Sequence, residues 1–167
     1  MALSNKDINE FLNIHAKRTF QGVKAYDQFE TKTNARLPLA LIVNARPLRI
    51  RFGHWSALYV DKNRHATFFD SYGLKPWGKF STFFKNNAIF TVYNTKLLQR
   101  DGVSCGHHCI YFVCQANKGK RLNEILKSYG SADPDKIVKK FYFERIKSAK
   151  KKRTIRLNAA IWAMSSR

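Results

Sequence analysis

Apolar and polar positions along this chain repeat with two different periods. In residues 4–16, Ile8, Phe11 and Leu12 fall on one face at helical spacing. Ser4 stands before them with Asp7 three residues on, so the pattern predicts a capped first helix. A loop is expected around Gly22. Leu39–Asn44 is a short apolar run that reads as a buried strand. Pro47 and the basic cluster Arg46, Arg49 and Arg51 form a connection. Trp55–Val60 and Ala66–Asp70 are two further strands, joined by the polar turn Asp61-Lys62-Asn63-Arg64. In such a hairpin, His54 at the start of one strand and Asp70 at the end of the other come to lie side by side.

Gly73 and Gly78 bracket a turn with Pro76 and Trp77, and Lys79–Asn86 predicts a short helix. Ile89–Tyr93 is a strand by its β-branched and aromatic content. The helix from Cys105 to about Ala116 is apolar on most sides and is expected to be the central buried one. Leu122–Tyr129 is a short helix stopped by Gly130. Asp133-Pro134 opens a basic amphipathic helix over 134–149. Ile137, Val138, Phe141, Tyr142, Ile146 and Ala149 lie on one side of it, and lysines lie largely on the other. The tail from Ile155 to Met164 carries enough apolar residues to dock back on the body. These elements predict an α+β fold in residues 1–167, taken as one domain, with a sheet packed on a buried helix.

Composition narrows the class. An apolar content of 44% with 14% aromatics fits a folded, not a disordered, chain. No apolar run reaches spanning length, and the polar start Ser4-Asn5-Lys6-Asp7 is not a signal peptide, so a protein kept inside a cell or particle is expected, not a secreted or membrane one. Three cysteines, an odd number, argue against a disulfide scaffold, and Cys109 and Cys114 read as inert core thiols.

The net charge of +20 suits polyanions, nucleic acid foremost. Residues 136–167 hold eleven Lys/Arg against one acid, Glu144, a balance of +10. Lys139, Lys140, Lys147, Lys150, Lys151, Lys152 and Arg153 are the expected nucleic-acid-binding residues.

The chemistry concentrates at Gln99-Arg100-Asp101-Gly102-Val103-Ser104-Cys105-Gly106, where an amide side chain stands six residues before a cysteine. A thiol at the first turn of a buried helix has its thiolate stabilised by the helix dipole and open N–H groups. Its attack on a carbonyl needs a base and leaves charge on oxygen, which Gln99 and the Cys105 N–H can receive. His54 and Asp70 supply the base and its orienting carboxylate. Singly, each residue also reads as structural: a core cysteine, a turn acid, a loop glutamine. Gly53 and Trp55, flanking His54, are expected to shape a narrow substrate groove. Cys105, His108 and Cys109 share a helix face, but no second Cys/His pair exists, and no metal site is expected. His107 and His108 read as a solvated or hydrogen-bonded pair, and His15 and His65 as surface residues.

The order and local words resemble a known family. Leu41-Ile42-Val43-Asn44 before Gly53-His54-Trp55, then Phe68-Phe69-Asp70-Ser71-Tyr72-Gly73, then Gln99 and Cys105-Gly106, are similar to the adenovirus-type cysteine proteases, the adenains. These share a clan with the proteases of ubiquitin-like proteins and have relatives in virophages and Maverick-type elements. The resemblance runs from about Leu39 to Gln115. It implies a papain-like fold of the adenain type and a thiol endopeptidase with His54, Asp70, Gln99 and Cys105 as catalytic residues. Its substrates would be viral precursor proteins of capsid or core, cut after small residues such as Gly during virion maturation. It further implies a monomer located in the virion or at the intracellular site of assembly, with DNA as an activating surface. Adenain also takes a disulfide-linked peptide cofactor, but Asn86–Leu98 here contains no cysteine, so that link is not expected. Adenain has a glutamate where Asp70 stands, while Asp70 and the Gln99–Cys105 gap follow the ubiquitin-like-protein proteases. Two alternatives therefore stand beside the maturation protease: a deubiquitinase or SUMO-type protease, and an inactive protease-like DNA-binding protein.

Overall fold

Five strands form one sheet in chain order: β1 (Phe20–Ala25), β2 (Leu39–Asn44), β3 (Trp55–Val60), β4 (His65–Asp70) and β5 (Phe90–Tyr93). The computed structural model describes residues 1–49 and 53–165, without the side chains of residues 153 and 162–165. Arg51 of the expected basic connection lies outside the described residues. The central strands pair antiparallel, β2 with β3 and β3 with β4, while β1 and β5 lie parallel to β2 and β4 at the two edges. The expected strands and hairpin are present. β1 falls where a loop was expected. Only Phe20 and Ala25 of this edge strand are buried, and a register shift between Phe20 and Val23, where Gly22 has φ 107°, breaks the alternation that would betray it.

Side-chain alternation feeds two cores. Ala40, Ile42, Trp55, Ala57 and Phe69 face helices α1 (Asn5–His15) and α3 (Cys105–Ala116). Leu39, Leu41, Val43, Leu58, Val60 and Phe68 face the other way, toward Phe29 and the phenylalanines of α2 (Gly78–Asn87). Burial on both faces is why β2 reads as a continuous apolar run instead of an alternating one. All of α3 is buried, and Phe112 stacks flat on Phe69 at 4.7 Å, which fixes the helix against the sheet. Gly106 allows a close approach: an added Cβ would stand 3.2–3.4 Å from Leu3, Ile8 and Trp55. Ser4 and Asp7 form the expected capping box of α1.

Helices α4 (Leu122–Lys127) and α5 (Pro134–Ser165) complete the α3 side. Val138 and Tyr142 of α5 are buried, and Ile137, Phe141 and Ile146 pack around them, as the amphipathic pattern predicted. The tail departs from expectation. It continues α5 as helix instead of docking, and Ile155, Leu157 and Ile161 are more than half exposed. Arg156, Ala159 and Ala160 favour extension of the helix, while Ile155 falls on a different face from Leu157 and Ile161. Among the described residues, no helix is long and apolar enough to cross a membrane.

Candidate active site

Pairing of β3 with β4 puts Ser56 opposite Asp70, so both side chains leave the sheet on the same face. Asp70 is fully buried, and its carboxylate collects three donors. Ser56 Oγ reaches Oδ2 at 2.7 Å, His54 Nε2 reaches the same oxygen at 2.7 Å, and the Tyr72 N–H reaches Oδ1 at 2.9 Å. Its backbone is fixed as well. The Asp70 N–H donates to Asn94 Oδ1 at 2.9 Å, and Asn94 Nδ2 donates to the Asp70 carbonyl at 2.7 Å. Because a carboxylate only accepts, Nε2 of His54 carries a proton, and Nδ1 is left for the thiol.

The Cys105 thiol stands beside His54, close enough to act on the charge of its ring. Burial pulls the imidazole pKa down, but the hydrogen bond to Asp70, the neighbouring Cys105 thiol and the charge of Asp70 outweigh it and lift it to about 9. Tyr72 stacks on the ring at 4.7 Å and 25°, presenting an aromatic face to an imidazolium.

Cys105 is the first residue of α3, and no side chain caps that helix. Its first N–H groups therefore stay open to an anion. Cys109, one turn on, is a different kind of thiol. It donates to the Trp55 carbonyl at 3.2 Å, and complete burial pushes its pKa well up. Burial likewise raises Cys114, to about 11.

Gln99 is 2% exposed. Its Oε1 accepts from Ser71 Oγ at 2.8 Å, and its N–H donates to the Ser71 carbonyl at 3.0 Å. Its Nε2, in contrast, is buried without a hydrogen-bond partner. A buried, oriented amide with unused donors is the arrangement an oxyanion hole requires.

A cleft of about 370 Å³ opens over Cys105, lined by Gly53, Trp55, Pro47, Leu48, Val103 and the N-terminal residues Ala2–Asn5. Gly53 and Trp55 are thus both beside the thiol. A Cβ at Gly53 would fall inside the Asn44 side chain, whose Oδ1 accepts from the Arg46 N–H, so any larger residue there has to displace that amide. A larger hollow of about 850 Å³ lies at the other end of α3, beside Ala116, Phe90 and His65. It contains none of these groups.

The basic residues fall into two groups. Lys139 is ion-paired with Asp101, and Lys140 lies 3.9 Å from Glu144. Lys147, Lys150, Lys151 and Lys152 are exposed, and the side chain of Arg153 lies outside the described residues. Both metal-suggestive histidines are buried rather than solvated. His108 bonds Asp135 and Tyr129, while His107 packs on Tyr142 with Nδ1 unpartnered. Burial lowers the His107 pKa to about 4. His15 and His65 are half-buried against Phe11 and Phe90. Among the described residues, no cluster of His, Cys, Asp or Glu is placed to hold a metal ion. Ser56, Asn94 and Asp135 carried no signal in the sequence, since their partners lie on other elements, and Ser71 and Tyr72 stood there only as part of the motif around Asp70.

No family model and no curated protein matches the chain. Solved structures do. The ASFV pS273R protease superposes with a TM-score of 0.66 at 16% identity, covering 84% of this chain and 66% of its own. The chain has the fold of the ASFV protease. The central domain of an uncharacterized Legionella pneumophila protein, Lpg1148, follows with a TM-score of 0.52 at 13% identity over 88% of this chain and 98% of that one. The SUMO protease Ulp1 overlays more loosely, with a TM-score of 0.49 at 13% identity over 73% of this chain and 69% of its own. This chain spans 66% of the length of the ASFV protease.

Proposed function

We propose that this chain is a cysteine endopeptidase. The observation that carries the reading is His54, held between the buried carboxylate of Asp70 and the thiol of Cys105 beside an amide with free donors. His54 takes the thiol proton, and the thiolate attacks the scissile carbonyl carbon. The carbonyl electrons move to oxygen, where Gln99 Nε2 and the Cys105 N–H receive them. As the intermediate collapses, the C–N bond breaks and the imidazolium gives its proton to the leaving amine. Water, deprotonated by His54, then attacks the thioester and releases the acid and the thiol. No metal or organic cofactor enters these steps.

The substrate is an extended segment with a small residue, glycine above all, at the cut, since Gly53, Trp55 and Cys105 close in on one cleft. The resemblance in sequence supports viral capsid or core precursors as the substrates, cut in the virion or at its intracellular assembly site. The protein works as a monomer, exposed lysines of α5 support DNA as its working surface, and a peptide disulfide at Asn86–Leu98 has no cysteine to use. Labelling of Cys105 by a peptide ending in a Gly-Gly electrophile, with and without DNA, tests the reading. Labelling that is lost in His54→Ala is expected, with DNA stimulation at low salt. Labelling that ignores His54 would remove the protease, and salt-independent activity would remove only the DNA.

Asp70 and the six-residue Gln99–Cys105 gap favour a second reading, a protease of ubiquitin-like conjugates. Cleavage of ubiquitin-like fusions in preference to a viral-type glycine peptide would select it. DNA affinity without any labelling would select the inactive DNA-binding protein.

A further inference from the structure

Asp135 lies in the first turn of α5, far along the chain from the catalytic loop, yet its carboxylate is spent on that loop. Oδ2 accepts from the Arg100 N–H at 2.9 Å and the Asp101 N–H at 3.1 Å. Oδ1 accepts from Ser104 Oγ at 2.5 Å and from His108 Nε2 at 2.9 Å. The ring of His108 is kept neutral by burial, and its Nδ1 accepts from Tyr129 at 3.2 Å. The carboxylate is 5% exposed and stands at the positive end of α5.

Resting on the protease reading, we propose that Asp135 is the positioning residue of the oxyanion hole. It grips the loop just after Gln99 and just before Cys105, so one carboxylate sets the distance between the two oxyanion donors. The grip explains two oddities of the site. Ser104 occupies the N-cap of α3 without capping it, because its hydroxyl is turned to Asp135. The loop is tied to another helix although both its ends are already in the core. Geometry, not charge, is the contribution: a negative group here repels an oxyanion, while three hydrogen bonds from the loop to an ionised carboxylate, with a fourth from His108 of α3, fix the loop firmly.

The test is Asp135→Asn, with Ser104→Ala as a milder variant that keeps the carboxylate. Alkylation of Cys105 by iodoacetamide displaces iodide and forms no oxyanion, so it reads the Cys105–His54 pair alone. In Asp135→Asn, kcat on a glycine peptide is expected to fall about ten- to a hundred-fold, while KM and the alkylation rate stay within about twofold. The Arg100 and Asp101 amides should exchange with deuterium faster, with the rest of the protein unchanged. Ser104→Ala should show the same pattern at smaller size. Unchanged turnover, or turnover and alkylation falling together with loss of protection throughout, would overturn the proposal. If the wild type cuts no peptide and its alkylation ignores His54→Ala, the protease reading fails separately. Exchange at Arg100 and Asp101 still decides whether Asp135 holds the loop.

Discussion

Ser71 donates its hydroxyl to Gln99 Oε1 at 2.8 Å, and this bond decides which end of the amide is free. With the oxygen occupied, Nε2 is left as the donor. Gln99→Ala should therefore lower kcat on the order of a hundred- to a thousand-fold with little change in KM. Ser71→Ala should show a smaller loss of the same kind, because the amide is then free to flip. Steady-state kinetics on one peptide substrate separate the two.

His54 gives the pH dependence. Its pKa is raised to about 9, so the ring is protonated at neutral pH and loses its proton as pH rises through about 9. Leaving-group protonation should fail along that limb. The same shift adds to stability: the contribution is complete below the unfolded value near 6.5 and is lost on the way up to about 9. Asp70→Asn should move the alkaline limb of the rate profile to lower pH, measured from kcat between neutral and alkaline buffers. An unmoved limb would assign it to another group.

Gly53→Ala should be costly although glycine is exposed there. The added methyl collides with the Asn44 side chain, and relief requires either breaking its bond to the Arg46 N–H or shifting the residue next to His54. A loss of about 1–3 kcal/mol in urea unfolding is expected, together with slower alkylation of Cys105. The pair Gly53→Ala with Asn44→Ala should recover part of the stability.

The end of α5 is separable from the body. Its described side chains from Lys150 to Ile161 are exposed, so a chain ending at Ala149 should keep its melting temperature. It should lose affinity for DNA, and the slope of log affinity against log salt should shrink by about 0.9 for each phosphate contact removed. Fluorescence anisotropy with a short duplex at several salt concentrations measures this. An unchanged slope would place the polyanion contact elsewhere.

Local order was legible in the sequence wherever burial was regular. The run Leu39–Val43 reads as a strand because both its faces are covered, and Ser4 with Asp7 marks a helix start because capping is a short-range bond. The same regularity made α3 stand out around Cys105. β1 was hidden, because an edge strand interrupted by Gly22 buries too little to show a period. The tail was misjudged for a related reason: its apolar residues count toward composition, but among the described ones Ile155, Leu157 and Ile161 stay exposed.

The sequence by itself determined which chemical groups this protein has and the order in which they occur: His54, Asp70, Gln99, Cys105. Strand pairing then brings the first two together, which follows from a hairpin whose turn is short. Only the tertiary structure decided how each group is held. Ser56 on Asp70, Ser71 on Gln99, and Asp135 on the Arg100 and Asp101 N–H groups and the Ser104 hydroxyl are contacts between residues distant in the chain. No local pattern encodes such a bond, because serines and aspartates are common in turns, and what gives these their roles is the partner that the packed sheet and helices bring to them.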